Sequence, residues 1–275
     1  MVKRTISGVI GAALILAILF FNQNVPMIIN LFISLVCILT TYEIYLAMRI
    51  NKVFEILIPS LLFSAILPVF GFGMIWKISL YAYTLIIFFA MVISRKTISV
   101  KDAAVAYSMT LLISLSLSTI IELRNWSGIY SNFYVLLALA IPWGSDTGAY
   151  FCGKIFGKRK LCPDVSPKKT VEGAVGGIIS SLFLNYIICI IFENWLFRPK
   201  AAVNYFTVTL IVLIGAGISI VGDLCFSMVK RSYSVKDFGK AIPGHGGFLD
   251  RFDSVIFVAP FVYYVSMHLE LVKLI

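Results

Sequence analysis

Apolar stretches of roughly 17 to 25 residues, each long enough to cross the ~30 Å hydrocarbon layer of a bilayer as a helix, recur along the whole 275-residue chain. The pattern predicts nine of them, at about 5–22, 26–48, 55–75, 78–94, 103–122, 132–152, 171–193, 204–229 and 253–272. Polar interruptions among the first five are short, whereas those at 143–173 and 227–253 are long, glycine-dense and charged. The expected fold class is all-α, a polytopic integral membrane protein. Composition agrees, because 60% hydrophobic and 13% charged residues with a mean hydropathy of +0.97 exclude an ordinary water-soluble domain. The basic, then apolar, start resembles an export signal, but Asn22 to Asn24 supply no small-residue cleavage site. A retained first helix is expected.

Charge orients the spans. With a cytoplasmic N-terminus, only Lys77, Arg124, Arg198, Lys200 and Lys273 of the 23 basic residues fall on the outer side, a strong inside bias. The early inner loops are accounted for by anionic lipid headgroups. The last two inner loops ask for more.

Five cysteines lie scattered without a C-x-x-C pair, which reads as buried free thiols. No internal repeat or soluble linker is visible, so one integral membrane domain is expected, divided into an N-terminal transmembrane scaffold (1–130) and a catalytic transmembrane region with cytoplasmic loops (131–275).

Asp146 and Asp223 fall inside the sixth and eighth spans, a turn or two before their cytoplasmic ends, and so share a depth. An ionised carboxylate there costs on the order of 3 kcal/mol and is expected to have a partner. Helical spacing puts Gly215 and Ser219 above Asp223 on one face, and Ser227, Lys230 and Arg231 below it. Glu43 has a similar depth in the second span, but Arg49 and the membrane interface account for it. It is not assigned a role.

The loop from Trp143 to Gly173 contains Gly153 and Gly157, whose spacing suits close helix packing. In Ser166-Pro167-Lys168-Lys169, serine before proline is a good helix start, so the lysine pair would sit where a helix dipole favours phosphate. Glu172 follows, able to favour the dipole, hold a cation or pair with Lys168. The final inner loop carries Pro243-Gly244-His245-Gly246-Gly247, whose glycines let bare amides approach an anion. Asp250, Arg251 and Asp253 then enter the ninth span. Asp223 and Asp250 are 27 residues apart, enough chain to leave the membrane and return to the same level, where they can share a divalent cation. Oxygen ligands without clustered Cys or His suit magnesium rather than structural zinc. His245 can orient phosphate or make a local turn hydrogen bond.

These residues carry a resemblance. Residues 227–253 meet without a gap the pattern S-x-hydrophobic-K-R-x4-K-D-x-small-x2-hydrophobic-P-x-H-G-G-hydrophobic-x-D-R-hydrophobic-D of the phosphatidate cytidylyltransferase (CDP-diacylglycerol synthase) family. The blocks at Ser145–Phe151 and Ser166–Gly173 are similar to that family's as well; the N-terminal half fits in hydropathy only. The resemblance implies that CTP and phosphatidic acid become CDP-diacylglycerol and pyrophosphate, an early step of phospholipid biosynthesis, at the cytoplasmic face of a bacterial inner membrane. It assigns Asp223 and Asp250, with Asp146, to metal binding, with Mg2+ as the main ion and K+ as a second cation. Lys168, Lys230, Arg231, Lys236 and Arg251 would neutralise phosphates, and Asp237, Asp253 and Glu172 would orient those cations or hold metals. His245 is grouped with the catalytic residues; Ser166, Lys168, Lys169, Glu172, Gly246 and Gly247 would hold nucleotide. The resemblance also implies a homodimer, and no nucleic-acid partner is expected. A CTP-dependent lipid kinase is the alternative, and a membrane transporter a more distant one.

Overall fold

The computed structural model describes residues 2–197, 200–242 and 246–274; His245 lies outside the described residues. Long apolar runs become helices because only internal hydrogen bonding satisfies the backbone in hydrocarbon. The helices are α1 (Val2–Asn22), α2 (Met27–Ala47), α3 (Phe54–Phe70), α4 (Met74–Ile93), α5 (Val100–Ser127), α6 (Ser131–Phe156), α7 (Val171–Ile191), α8 (Tyr205–Ser232) and α9 (Leu249–Ser266). Two antiparallel two-stranded sheets are added, β1 (Lys160–Cys162) with β2 (Ser166–Thr170), and β3 (Ala201–Val203) with β4 (Val272–Leu274).

The expected nine crossings are not all supported by length and hydropathy. Among the described residues five helical stretches qualify: Met27–Ala47, Met74–Ile93, Val100–Phe156, Val171–Leu196 and Tyr205–Ser232. The third, of 57 residues, comprises α5, a 3-10 turn at Gly128–Tyr130 and α6. Shorter apolar helices run over Gly8–Asn22 and Phe54–Phe70. α9 carries Asp250, Arg251 and Asp253 near its start and ends at Ser266 rather than 272, because the chain beyond it turns into β4.

The chain divides into two compact units. One comprises Met1–Glu122 and Ser232–Phe252. Its helices α2 to α5 are joined by hydroxyls as well as apolar surface. Thr41 and Ser64 share a hydrogen bond of 2.9 Å, Ser114 donates to Ser64 at 3.0 Å, and Ser60 lies within 2.5 Å of Tyr45 Oη and 2.9 Å of Tyr83 Oη. Such bonds average only about 0.6 kcal/mol in a membrane. They therefore set the register between helices more than they stabilise it.

The other unit comprises Leu123–Arg231 and Asp253–Ile275. Its core is built from Phe133, Leu137, Ile141, Val208, Val212, Val258 and Val262. Here α6 and α7 approach closely because glycine faces backbone: a Cβ on Gly148 would lie 2.8 Å from the Gly176 carbonyl, and one on Gly177 2.6 Å from that of Ser145. Small residues at such a crossing let dispersion act between backbones where lipid removes any hydrophobic drive.

Candidate active site

The segment 157–173 forms a clamped hairpin ahead of α7. Thr170, in an extended conformation, is the N-cap of α7, and its Oγ1 accepts from the Gly173 amide at 3.1 Å. The carboxylate of Glu172 accepts from the amides of Lys158 (3.0 Å) and Arg159 (3.2 Å), and the Val171 amide donates to the Arg159 carbonyl at 2.9 Å. Both ends of the hairpin are thus fastened to the first turn of the helix. This corrects the expected helix start at Ser166. Pairing Lys160 with Thr170 and Cys162 with Ser166 keeps 166–170 extended, and Pro167 is accommodated where the register shifts between those pairs. The capping function passes to Thr170. Glu172 holds backbone amides in this arrangement.

A strand alternates its side chains. Lys168 is exposed and Lys169 half-buried. Lys169 Nζ lies 2.6 Å from Asp223 Oδ2, with the two side chains 23% and 26% exposed. One turn further along α8, Ser227 donates to Asp223 Oδ1 at 3.4 Å, as the i, i+4 spacing predicts. In the last turn, Lys230 Nζ stands 3.9 Å from Asp253 Oδ2, both side chains largely buried, and Arg231 Nε reaches the Val165 carbonyl at 3.5 Å. The C-terminal end of α8 therefore carries two cation–carboxylate pairs in succession. Gly153 and Gly157 serve packing: a Cβ on either would press against Thr170.

The glycine loop of the first unit is built differently. Asp250, in the first turn of α9, accepts through Oδ2 from the amides of Phe238 (2.9 Å) and Gly247 (3.0 Å). Gly246 has φ +85°, a conformation that glycine adopts without steric cost. The amides of Phe248 and Leu249 donate to Glu43, at 3.0 Å to Oε1 and 2.8 Å to Oε2. The expectation of bare amides is corrected at Gly247, whose amide already has a carboxylate partner, as do those of the following Phe248 and Leu249, since unpaired donors at a helix start are costly; Gly244 lies outside the described residues. The reading of Glu43 as an interfacial residue explained by Arg49 is corrected too. Glu43 is buried and bonds a segment 205 residues away in sequence. Its one sequence signal was being an acid in an apolar span, the same signal that singled out Asp223.

The remaining expected site residues have simpler placements. Lys236, Asp237, Arg251 and Asp146 are exposed; Ser166 is half-buried in β2. Among the described residues, no three His, Cys, Asp or Glu side chains converge as a metal-holding group.

The profile of the cytidylyltransferase family matches residues 2–269. The chain belongs to the cytidylyltransferase family. Within that family it is similar to the phosphatidate cytidylyltransferase of Staphylococcus haemolyticus (strain JCSC1435), 33% identical over 266 residues that cover 94% of this chain and 95% of that protein. The phosphatidate cytidylyltransferase of Staphylococcus aureus (strain COL) is 32% identical over 272 residues, covering 94% and 95%. That of Bacillus subtilis (strain 168) is 38% identical over 189 residues, covering 69% and 67%. The match to a cytidylyltransferase profile thus spans both compact units, including Glu43 and the motif residues.

Proposed function

We propose that this chain transfers the cytidylyl group of CTP to phosphatidic acid. A phosphate oxygen of the lipid attacks the α phosphorus, the bond from that phosphorus to the β-phosphate oxygen breaks, and CDP-diacylglycerol and pyrophosphate result. The observation that carries this reading is the end-to-end similarity to relatives named phosphatidate cytidylyltransferase, 95% of whose length is matched. An apolar helical chain with its charged loops at helix ends suits a reaction in which one substrate comes from the bilayer and the other from water.

The chemical obstacle is charge. A phosphate monoester is largely ionised at neutral pH, so the nucleophile needs no strong base, whereas two anions must be brought together and a third must depart. Fixed cations aimed at developing charge are the remedy. In this reading Lys168, Lys230, Arg231, Lys236 and Arg251 neutralise phosphates. The pairing of Lys230 with Asp253 supports it, because the carboxylate holds a flexible ammonium group in place before substrate arrives.

Magnesium belongs to the proposal, with potassium as a second cation. Asp223, Asp250 and Asp146 offer hard oxygen donors, which suit it. Magnesium takes one or two carboxylates and fills its remaining positions with water and phosphate oxygens, so a preformed group of three ligands is not required. When bound, the ion would offset charge on the phosphates and the leaving pyrophosphate. A site at the cytoplasmic face of the inner membrane and a homodimeric assembly complete the reading.

Turnover of detergent-purified protein with α-labelled CTP, phosphatidic acid and magnesium, with and without EDTA, tests it. The expected outcome is lipid-borne label with release of pyrophosphate, abolished by EDTA. Transfer of γ-label to lipid with release of CDP would instead make the protein a lipid kinase.

A further inference from the structure

Glu43 stands outside every motif of the chain, yet it is joined to the densest of them. Its two carboxylate oxygens take different amides, Oε1 that of Phe248 and Oε2 that of Leu249. A bidentate grip of this kind fixes both the position and the rotation of the first turn of α9. The next residue is Asp250, whose Oδ2 in turn takes the amides of Gly247 and Phe238. Between them the two acids take the amides of three consecutive residues, Gly247, Phe248 and Leu249. Space has been left for this arrangement: a Cβ added to Gly239 or to Gly247 would fall onto the Glu43 carboxyl group. Glu43 and Asp250 are only 5% and 8% exposed, so little water is available to replace a lost bond.

We infer that Glu43 is a positioning residue for the transfer reaction, acting through the backbone of residues 247–249 to aim the carboxylate of Asp250. The inference rests on the functional reading above. Glu43 touches no reacting atom in this role; it holds the segment that carries Asp250, the carboxylate proposed to serve the metal. Partners that orient a functional carboxylate or ligand are commonly worth 10- to 100-fold in activity or metal affinity, since a displacement of under an ångström spoils the productive geometry.

Two readouts on the full-length, detergent-purified protein test it: kcat with α-labelled CTP and phosphatidic acid, and hydrogen–deuterium exchange of a peptide covering 246–252. Glu43→Ala is expected to lower kcat by roughly 10- to 100-fold per folded molecule and to accelerate exchange in that peptide. Glu43→Gln, which keeps the shape and one acceptor oxygen, is expected to fall between Ala and wild type on both measures. Wild-type kcat per folded molecule in Glu43→Ala, with the defect confined to yield, would overturn the inference, as would unchanged exchange. Where the alanine variant does not fold, the glutamine variant decides: intermediate kcat with faster exchange supports the role, and wild-type values in both remove it. A wild-type protein that transfers no label would sink the transferase reading alone, because the exchange arm still reports whether Glu43 holds the loop.

Discussion

The hairpin with α8 and the glycine loop with α9 hold their acids in opposite ways. At the hairpin, carboxylates meet ammonium groups: Asp223 with Lys169, and at the far end of α8 Lys230 with Asp253. In the loop, Asp250 and Glu43 meet backbone amides, four in all. The energies differ accordingly. A partly exposed ion pair such as Lys169–Asp223 contributes about 0–1 kcal/mol, whereas hydrogen bonds to a charged acceptor contribute about 1.5–3 kcal/mol each. The Lys169–Asp223 pair is therefore available to rearrange around a ligand at little cost in stability, whereas replacing either loop acid leaves backbone amides without an acceptor. One motif, read as a single string of chemistry, contains both kinds of residue.

Substitutions can break this contrast. The largest expected effect is at the acids proposed to hold the metal: Asp223→Asn and Asp250→Asn should each lower turnover at least ~100-fold, the scale of losing one transition-state contact. They should part company in stability. Asp223→Asn is expected to leave the thermal midpoint of the purified protein unchanged, and Asp250→Asn to lower it, because the amides of Phe238 and Gly247 lose a charged acceptor. Equal midpoints would erase the distinction between the two regions. A smaller effect, about 10-fold on kcat, is expected for Lys169→Met through the orientation of Asp223, and combining it with Asp223→Asn should add little further loss, as contacting residues are non-additive. Multiplying losses in that cycle would mean that Lys169 acts independently of Asp223. The smallest is Thr170→Ala, which removes the N-cap of α7 and should cost about 1 kcal/mol in unfolding free energy with kcat per folded molecule retained.

What could be read from the sequence follows physical range. Helical apolar runs and the stripe Asp223, Ser227, Lys230 are local, and the structure has the Ser227–Asp223 bond where the spacing places it. Ser166-Pro167 carried a sound local signal for a helix start, which lost to strand pairing with residues 160–162. Lys169 reaches Asp223 only because that hairpin exists, so the pair was invisible to any periodicity. Glu43 was visible as an anomaly but not interpretable, since nothing near it in sequence indicates that amides from the start of α9 will supply its partners.

That separation has a bearing on biosynthesis. At 5–20 residues per second of translation, the 205 residues between Glu43 and Phe248 take roughly 10 to 40 s to emerge. For that interval the second helix must rest in the translocon or bilayer with its acid protonated, hydrated or borrowed by a headgroup. Only the arrival of the last helix supplies the amides of Phe248 and Leu249, so a chain that stops short leaves an acid near its beginning without the partners it has in the finished protein.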